Sequence, residues 1–244
     1  MIMKEKNDFY ITWLGQGGFL IEAEGQRLVV DPYFSNVVEE REGLKRLVAP
    51  PCTIEDLRPD LIFITHNHID HFDPIALPEI HHQYPHVKIA GPDSVMKKAQ
   101  EFKFNSSVLV QVNKGECVDL GSFRIIATPA YHSDPFTVGC LIEVEGKMIY
   151  LSSDTLFNET LAFDVMSLTD KDIDVILICI NGKLGNMNWQ EAIKVVGTIK
   201  PRMAIPMHFG MFAENTVDPT AFIESCNKLN IQSFELIHGQ TTIF

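Results

Sequence analysis

Apolar and polar positions alternate in short runs along the first part of the chain, and these runs predict strands. Residues 9–14, 18–23 and 26–31 make three of them, with Glu24-Gly25 as a turn between the last two, so they predict a meander. Residues 37–51 are rich in charge and predict a loop. The apolar string Leu61-Ile62-Phe63-Ile64 predicts a buried strand over 61–65. A helix is predicted over about 74–84, with Asp73 as its N-cap and Pro74 in the first helical position. Residues 87–90 predict a short strand, and 93–103 a helix that starts at Asp93 or Ser94.

Strand-like runs resume at 107–112, 116–120, 123–128, 137–144 and 147–152, with Glu145-Gly146 as a second hairpin turn. The apolar run 174–180 leads into a Gly-rich loop. A helix over 189–200 carries Asn188 as cap, Glu191 in the capping-box position and Pro201 as its stop. Runs at 203–206, 234–237 and 241–244 close the chain. No linker, low-complexity tract or repeat interrupts it, so 1–244 is read as one α/β domain. Two strand-rich halves with helices between them predict two sheets packed together and covered by helices.

Composition narrows the function. A chain of 244 residues can bury a sizeable core, and its 45% hydrophobic and 21% charged residues are ordinary for a soluble globule. The net charge of -12 opposes a broad nucleic-acid footprint. Anionic small molecules stay open, because metal ions create a local positive site on an acidic protein. Cys52, Cys117, Cys140, Cys179 and Cys226 are odd in number and unclustered. Buried free thiols in a reducing, cytoplasmic setting are expected. Residues 1–8 lack the apolar core of a signal peptide, and no segment is long enough to cross a bilayer. The expected partner is a small-molecule substrate, with neither nucleic acid nor membrane involved and a homo-oligomer left open.

The densest chemistry is Thr65-His66-Asn67-His68-Ile69-Asp70-His71, directly after the buried 61–65 run. His66 and His68 alternate, so in an extended segment both face one side. Asp70 and His71 lie where the chain bends and approach from another direction. That supplies two groups of ligands, enough for two adjacent metals, and imidazole plus carboxylate suits zinc, iron or manganese. His132, Asp154 and His208 each follow the end of a predicted strand, where loops at a sheet edge carry chemistry. Singly, each reads as a turn residue or cap. Together with the 66–71 cluster they repeat one placement.

These residues carry a resemblance to the metallo-β-lactamase superfamily over nearly the whole chain. It rests on Trp13-Leu14-Gly15-Gln16-Gly17-Gly18-Phe19, on Asp31-Pro32, on the H-x-H-x-D-H string, and on His132, Asp154 and His208 in order. Within that superfamily the chain is similar to the L-ascorbate-6-phosphate lactonase branch. The segments are Ile180-Asn181-Gly182-Lys183, Gly185-Asn186-Met187-Asn188 and Ile205-Pro206-Met207-His208-Phe209-Gly210-Met211-Phe212. Two positions depart from the pattern. Ser153 precedes Asp154 where many relatives have Gly, and Gln16 stands where relatives often have His.

The resemblance implies a four-layered αββα sandwich of two mixed sheets with outer helices. It also implies two divalent transition metal ions, zinc first and manganese as the alternative. One would take His66, His68 and His132, the other Asp70, His71 and His208, with Asp154 bridging them. Asp70, Asp154 and His208 are then the candidate catalytic residues, acting with a hydroxide shared by the metals. Asp31 is placed to orient a ligating histidine from behind. Lys183, Asn181 and Tyr131 are the candidate substrate contacts.

The preferred reading is a dinuclear metal-dependent hydrolase of a small, anionic substrate of the sugar-acid lactone or phosphoester type. A nuclease or phosphodiesterase of the same fold is the second reading. A di-iron redox protein or a non-catalytic metal-binding module is the third.

Overall fold

The computed structural model describes residues 8–244; the residues before Asp8, read above for a leader, lie outside the described residues. The strands are β1 (Tyr10–Gly15), β2 (Gly18–Ala23), β3 (Gln26–Val30), β4 (Leu61–Phe63), β5 (Lys88–Gly91), β6 (Leu109–Gln111), β7 (Cys117–Leu120), β8 (Phe123–Pro129), β9 (Val138–Val144), β10 (Lys147–Leu151), β11 (Val175–Cys179), β12 (Met203–Met207) and β13 (Thr241–Ile243). The helices are α1 (Val37–Glu42), α2 (Ile54–Leu57), α3 (Ala76–Gln83), α4 (Asp93–Glu101), α5 (Leu161–Met166), α6 (Trp189–Ile199) and α7 (Thr220–Lys228).

Two sheets form. One has the order β13-β1-β2-β3-β4-β5-β6, the other β12-β11-β10-β9-β8-β7. Each mixes an antiparallel meander with a parallel stretch: β3 to β6 run parallel in the first, β10 to β12 in the second. Strand alternation decides what each side chain meets. Trp13, Phe19, Ile21, Leu28, Val30, Leu61 and Phe63 face the second sheet and join the large inter-sheet core. Their neighbours Leu14, Leu20, Val29, Ile62 and Ile64 point the other way, into a core shared with α3 and α4. Helices α5, α6 and α7 cover the outer face of the second sheet through Leu161, Val165, Ala192, Val195, Val196, Phe222 and Cys226. The layers are therefore helix, sheet, sheet and helix, as expected.

Some elements differ from expectation. The charged stretch 37–51 holds the six-residue α1, which buries only Val37 and Val38 and is too short to show a period. Helices α2, α5 and α7 are likewise absent from the sequence-based expectation; α2 is four residues long and rests on a Thr53–Asp56 capping box. Residues 234–237 form no strand. Leu236 is buried and Phe234 packs against the inter-sheet core, so their apolar character reflects anchoring, while only Gln232 bridges to Met203 at the edge of the second sheet. The capping box of α6 forms as the sequence predicts, between Asn188 and Glu191.

Candidate metal centre

Both sheets end their parallel strands at the same edge, and the candidate residues follow those ends. Gln16 follows β1, Asp31 follows β3, and the 66–71 string follows β4. His132, Asp154 and His208 come just after β8, β10 and β12. The centre is thus assembled from both halves of the sandwich.

Three overlapping triads have ligand atoms all within 4.8 Å of one another: His66, His68 and His132; His66, His71 and Asp154; and Asp70, His71 and His208. His71 Nε2 lies 3.4 Å from Asp154 Oδ1 and 3.7 Å from Asp70 Oδ2. His208 Nε2 lies 3.0 Å from Asp154 Oδ1 and 3.8 Å from Asp70 Oδ2. His132 Nε2 lies 3.8 Å from Asp154 Oδ2 and 3.1 Å from His68 Nδ1. His66 Nε2, His71 Nε2, His208 Nε2 and Asp154 Oδ1 are buried without a hydrogen-bond partner among the described residues. Unpaired buried polar atoms are costly, and here they converge on one point. A set of imidazoles and carboxylates with inward lone pairs fits a divalent transition metal.

The outward nitrogens of His66, His71 and His132 are tied down, whereas His208 Nδ1 has no hydrogen-bond partner among the described residues. Asp31 is fully buried and accepts from Thr65 N at 2.8 Å, from Thr65 Oγ1 at 2.6 Å and from His71 Nδ1 at 2.7 Å. Because the Thr65 hydroxyl donates to Asp31, it accepts from His66 Nδ1 at 3.0 Å. One carboxylate therefore fixes the tautomer of two histidines and turns both Nε2 atoms inward. His132 Nδ1 donates to the Gly185 carbonyl at 3.0 Å, with the same result. Gln16 Nε2 donates to Asp70 Oδ2 at 2.8 Å, so the glutamine that departs from the family pattern holds an acidic candidate in place.

Charge balance follows from this packing. Burial pulls the His66 imidazole well below its ordinary pKa, reinforced by His71. Burial also acts to lower His71, but Asp154, Asp70 and Asp31 outweigh it and hold that imidazole well above the usual range. For Asp154 burial acts upward, yet His208 and His71 hold its carboxyl well below the ordinary value.

The backbone is strained at this edge. Gln16, Asp31, Ser153 and His208 all have positive φ, at 53°, 43°, 56° and 63°. The position that many relatives fill with Gly does adopt the glycine-type conformation here, and Ser153 occupies it at a cost of about 1 kcal/mol. A Cβ on Gly17 would stand 2.6 Å from His71 Cε1, so that glycine is required by close approach.

The remaining sequence candidates lie elsewhere. Lys183 Nζ donates to the Glu214 carbonyl at 2.9 Å, and Lys183 does not line the cleft over the centre. Asn181 is buried, donates to Asn215 Oδ1 at 2.7 Å and accepts from Asn186 Nδ2 at 3.1 Å. Tyr131 packs against the inter-sheet core with its hydroxyl 3.5 Å from Asp164 Oδ2. The cleft itself holds about 220 Å³ and is lined by Val38, Glu42, Leu44, Leu184, Phe212 and Asn215, together with His68, Asp70, His132, Asp154 and His208. Sequence reasoning missed these wall residues. They come from a short helix and loops that carry no period, and no motif marks them apart from Phe212, which ends the 205–212 segment.

Comparison with known proteins agrees with this geometry. The family model described as Beta-lactamase superfamily domain matches residues 10–208, from β1 to the last inward histidine. A protein of Methanosarcina mazei named a UPF0173 metal-dependent hydrolase is 30% identical over 232 residues, which span 88% of this chain and 89% of the relative. Among solved structures, Igni18, a metallo hydrolase from the archaeon Ignicoccus hospitalis, superposes with a TM-score of 0.80 at 24% identity, covering 97% of this chain and 98% of that one. CmlA, a diiron β-hydroxylase from Streptomyces venezuelae, superposes with a TM-score of 0.73 at 17% identity over 99% of this chain and 54% of its own. The fold is thus shared by proteins of different chemistry.

Proposed function

The chain belongs to the metallo-β-lactamase superfamily, and from that premise we propose that it is a dinuclear metal-dependent hydrolase of small molecules, acting on a lactone or ester linkage. The observation that carries this reading is the convergence of inward, unpartnered imidazole and carboxylate atoms at the shared sheet edge. His66, His68 and His132 would hold one divalent ion, Asp70, His71 and His208 the other, with Asp154 between them. Zinc is the first choice and manganese the alternative. When bound, such ions lower the pKa of water and stabilise negative charge that develops on the substrate.

The chain's own groups supply the rest. Asp31, directly and through Thr65, keeps the protons of His71 and His66 on the outward nitrogens. The Gly185 carbonyl does so for His132, and Gln16 steadies Asp70. The lactone part of the reading is supported by the branch segments around Asn181, Asn186 and His208. A small anionic substrate, a sugar-acid lactone or a phosphoester, is expected from the branch resemblance, with Lys183 as a candidate contact; because that ammonium is bonded to the Glu214 carbonyl, this reading keeps the lactone or ester linkage and sets aside the phosphoester and the charge. We extend the reading to residues 1–244 acting as one hydrolase domain on a small-molecule partner, in a reducing cytoplasm. Five free cysteines and a net charge of -12 support that setting and the absence of nucleic acid.

The test is elemental analysis of gently purified protein, followed by a panel of lactones, acyl esters and phosphodiesters with added Zn²⁺ or Mn²⁺. Two equivalents of transition metal per chain and metal-dependent turnover of a lactone or ester are expected. No bound transition metal and no turnover with added metal would overturn the reading. A bound iron pair that changes redox state without hydrolysis would favour the redox alternative.

A further inference from the structure

The walls of the cleft have a character that the metal chemistry does not require. Val38, Leu44, Leu184 and Phe212 surround the centre. Val38 and Phe212 are buried in a small core of their own with Tyr33, Val37 and Met211, against which Leu44 packs, so this side is a firm apolar wall. From a separate loop the cleft is also lined by Leu184, a leucine that is 68% exposed and has a left-handed φ of 51°. At the rim of the cleft this leucine presents apolar surface that a substrate can cover. Its loop is well fixed. Gly182 N donates to Met187 O at 3.0 Å, Asn186 N to Lys183 O at 3.2 Å, and Lys183 Nζ to Glu214 O at 2.9 Å. The three asparagines 181, 186 and 215 are bonded in a chain behind it.

Apart from the histidines, the ionisable residues of the lining are Glu42, Asp70 and Asp154, all acidic, among the described residues. Asp70 and Asp154 already neutralise part of the charge that divalent ions would bring. Glu42 belongs to none of the three triads. It adds negative charge facing the same space and offers an acceptor there.

We infer that Glu42 and the collar of Val38, Leu44, Leu184 and Phe212 select an uncharged, partly apolar ester or lactone and disfavour an anionic one. Leu184 covers the apolar part of the substrate from the loop side, and Glu42 repels a carboxylate or phosphate that approaches the centre. This inference rests on the hydrolase reading. A partly solvated like charge across a small cleft is worth roughly a factor of five in affinity.

The test compares two esters of similar size and the same leaving group, p-nitrophenyl butyrate and p-nitrophenyl hemisuccinate, on zinc-loaded wild type, Glu42→Gln, Glu42→Lys and Leu184→Ser. Binding of inorganic phosphate to the same proteins is measured by calorimetry, a readout that needs no turnover. The wild type should prefer the butyrate. Glu42→Gln should narrow that preference roughly fivefold through the KM of the hemisuccinate and tighten phosphate binding by a similar factor. Glu42→Lys should extend both changes, and Leu184→Ser should raise the KM of the butyrate and leave phosphate binding unchanged. A wild type that prefers the hemisuccinate, or Glu42 variants with unaltered ratio and unaltered phosphate affinity, overturns the inference while the hydrolase reading stands. If neither ester turns over on metal-loaded protein, the hydrolase reading fails for these linkages, and the phosphate titration alone decides the role of Glu42.

Discussion

Replacing Asp31 by Asn changes one atom of a fully buried side chain and should disable half of the centre. The carboxylate accepts three hydrogen bonds, two from Thr65 and one from His71. An amide of the same shape has only one acceptor oxygen. If its NH₂ takes the place of Oδ2, it faces the Thr65 hydroxyl and His71 Nδ1, which were both donors. They must then accept, so the His71 proton moves to Nε2 and points into the centre. If the amide flips, its NH₂ meets the Thr65 N–H. Either way a buried donor loses its partner or a ligand tautomer is reversed. An unsatisfied buried donor costs about 1–3 kcal/mol. For a chain of this size that corresponds to a fall in Tm of roughly 2–12 °C. Loss of an orienting carboxylate behind a ligating histidine typically lowers metal affinity about 10–100-fold. Zinc affinity is measured by competition with a chromophoric chelator, and the tautomer by ¹⁵N NMR of the imidazoles in metal-free protein at a pH above the raised His71 value, where that ring is neutral and the wild type carries its proton on Nδ1. The expected result is weakened binding of one equivalent, with a new His71 Nε2–H signal. An Asp31→Asn protein with wild-type zinc affinity and unchanged imidazole spectra would refute the tautomer argument.

Asp154→Ala should abolish turnover and lower metal content below two equivalents, because it removes the carboxylate shared between His71 and His208; a metal-replete, active variant would end the proposed mechanism. Lys183→Ala should change kcat/KM by less than about threefold, since its ammonium serves the Glu214 carbonyl; a large rise in KM for an anionic ester would return the lysine to substrate binding. Asn188→Ala should destabilise the protein by about 1 kcal/mol through loss of the α6 cap, read by urea unfolding with an unchanged m value. Metal-free protein should be most stable near pH 6.5, the ordinary histidine value. Below it, stability falls because His66, whose folded pKa is lowered, must take up a proton on unfolding. Above it, stability falls as pH rises toward the raised folded pKa of His71, which holds its proton in the native state and releases it on unfolding. A urea-midpoint profile that is flat across that pH contradicts this assignment.

The strands and the inward residues were legible in the sequence because both leave strong local marks. Period-two alternation puts Leu14, Leu20 and Val29 on one face and Trp13, Phe19 and Ile21 on the other, and the two sets do lie in different cores. The H-x-H-x-D-H string marks itself by density, and His132, Asp154 and His208 by following strand ends. The tautomer control by Asp31 was half visible: its position suggested an orienting role, but the relay through Thr65 depends on a fold contact between residues 34 apart. The direction of Lys183 was not legible, because a loop at the right sheet edge does not fix which way a long side chain turns. Glu42, Leu44 and Leu184 carried no signal, since each is an ordinary residue in a loop-like stretch and gains meaning only from what the tertiary fold sets opposite it.

The strand β13 pairs with β1, and Thr12 and Thr241, 229 residues apart, share a hydroxyl hydrogen bond of 2.7 Å. During synthesis at about 5–20 residues per second, β1 must wait roughly 11–46 seconds after leaving the ribosome for this neighbour. Throughout that interval the nascent chain carries an open sheet edge, the surface most prone to pairing with another chain. Closure of the sheet at β1 therefore waits for residues 241–243, and their removal would leave the same edge open in the folded domain.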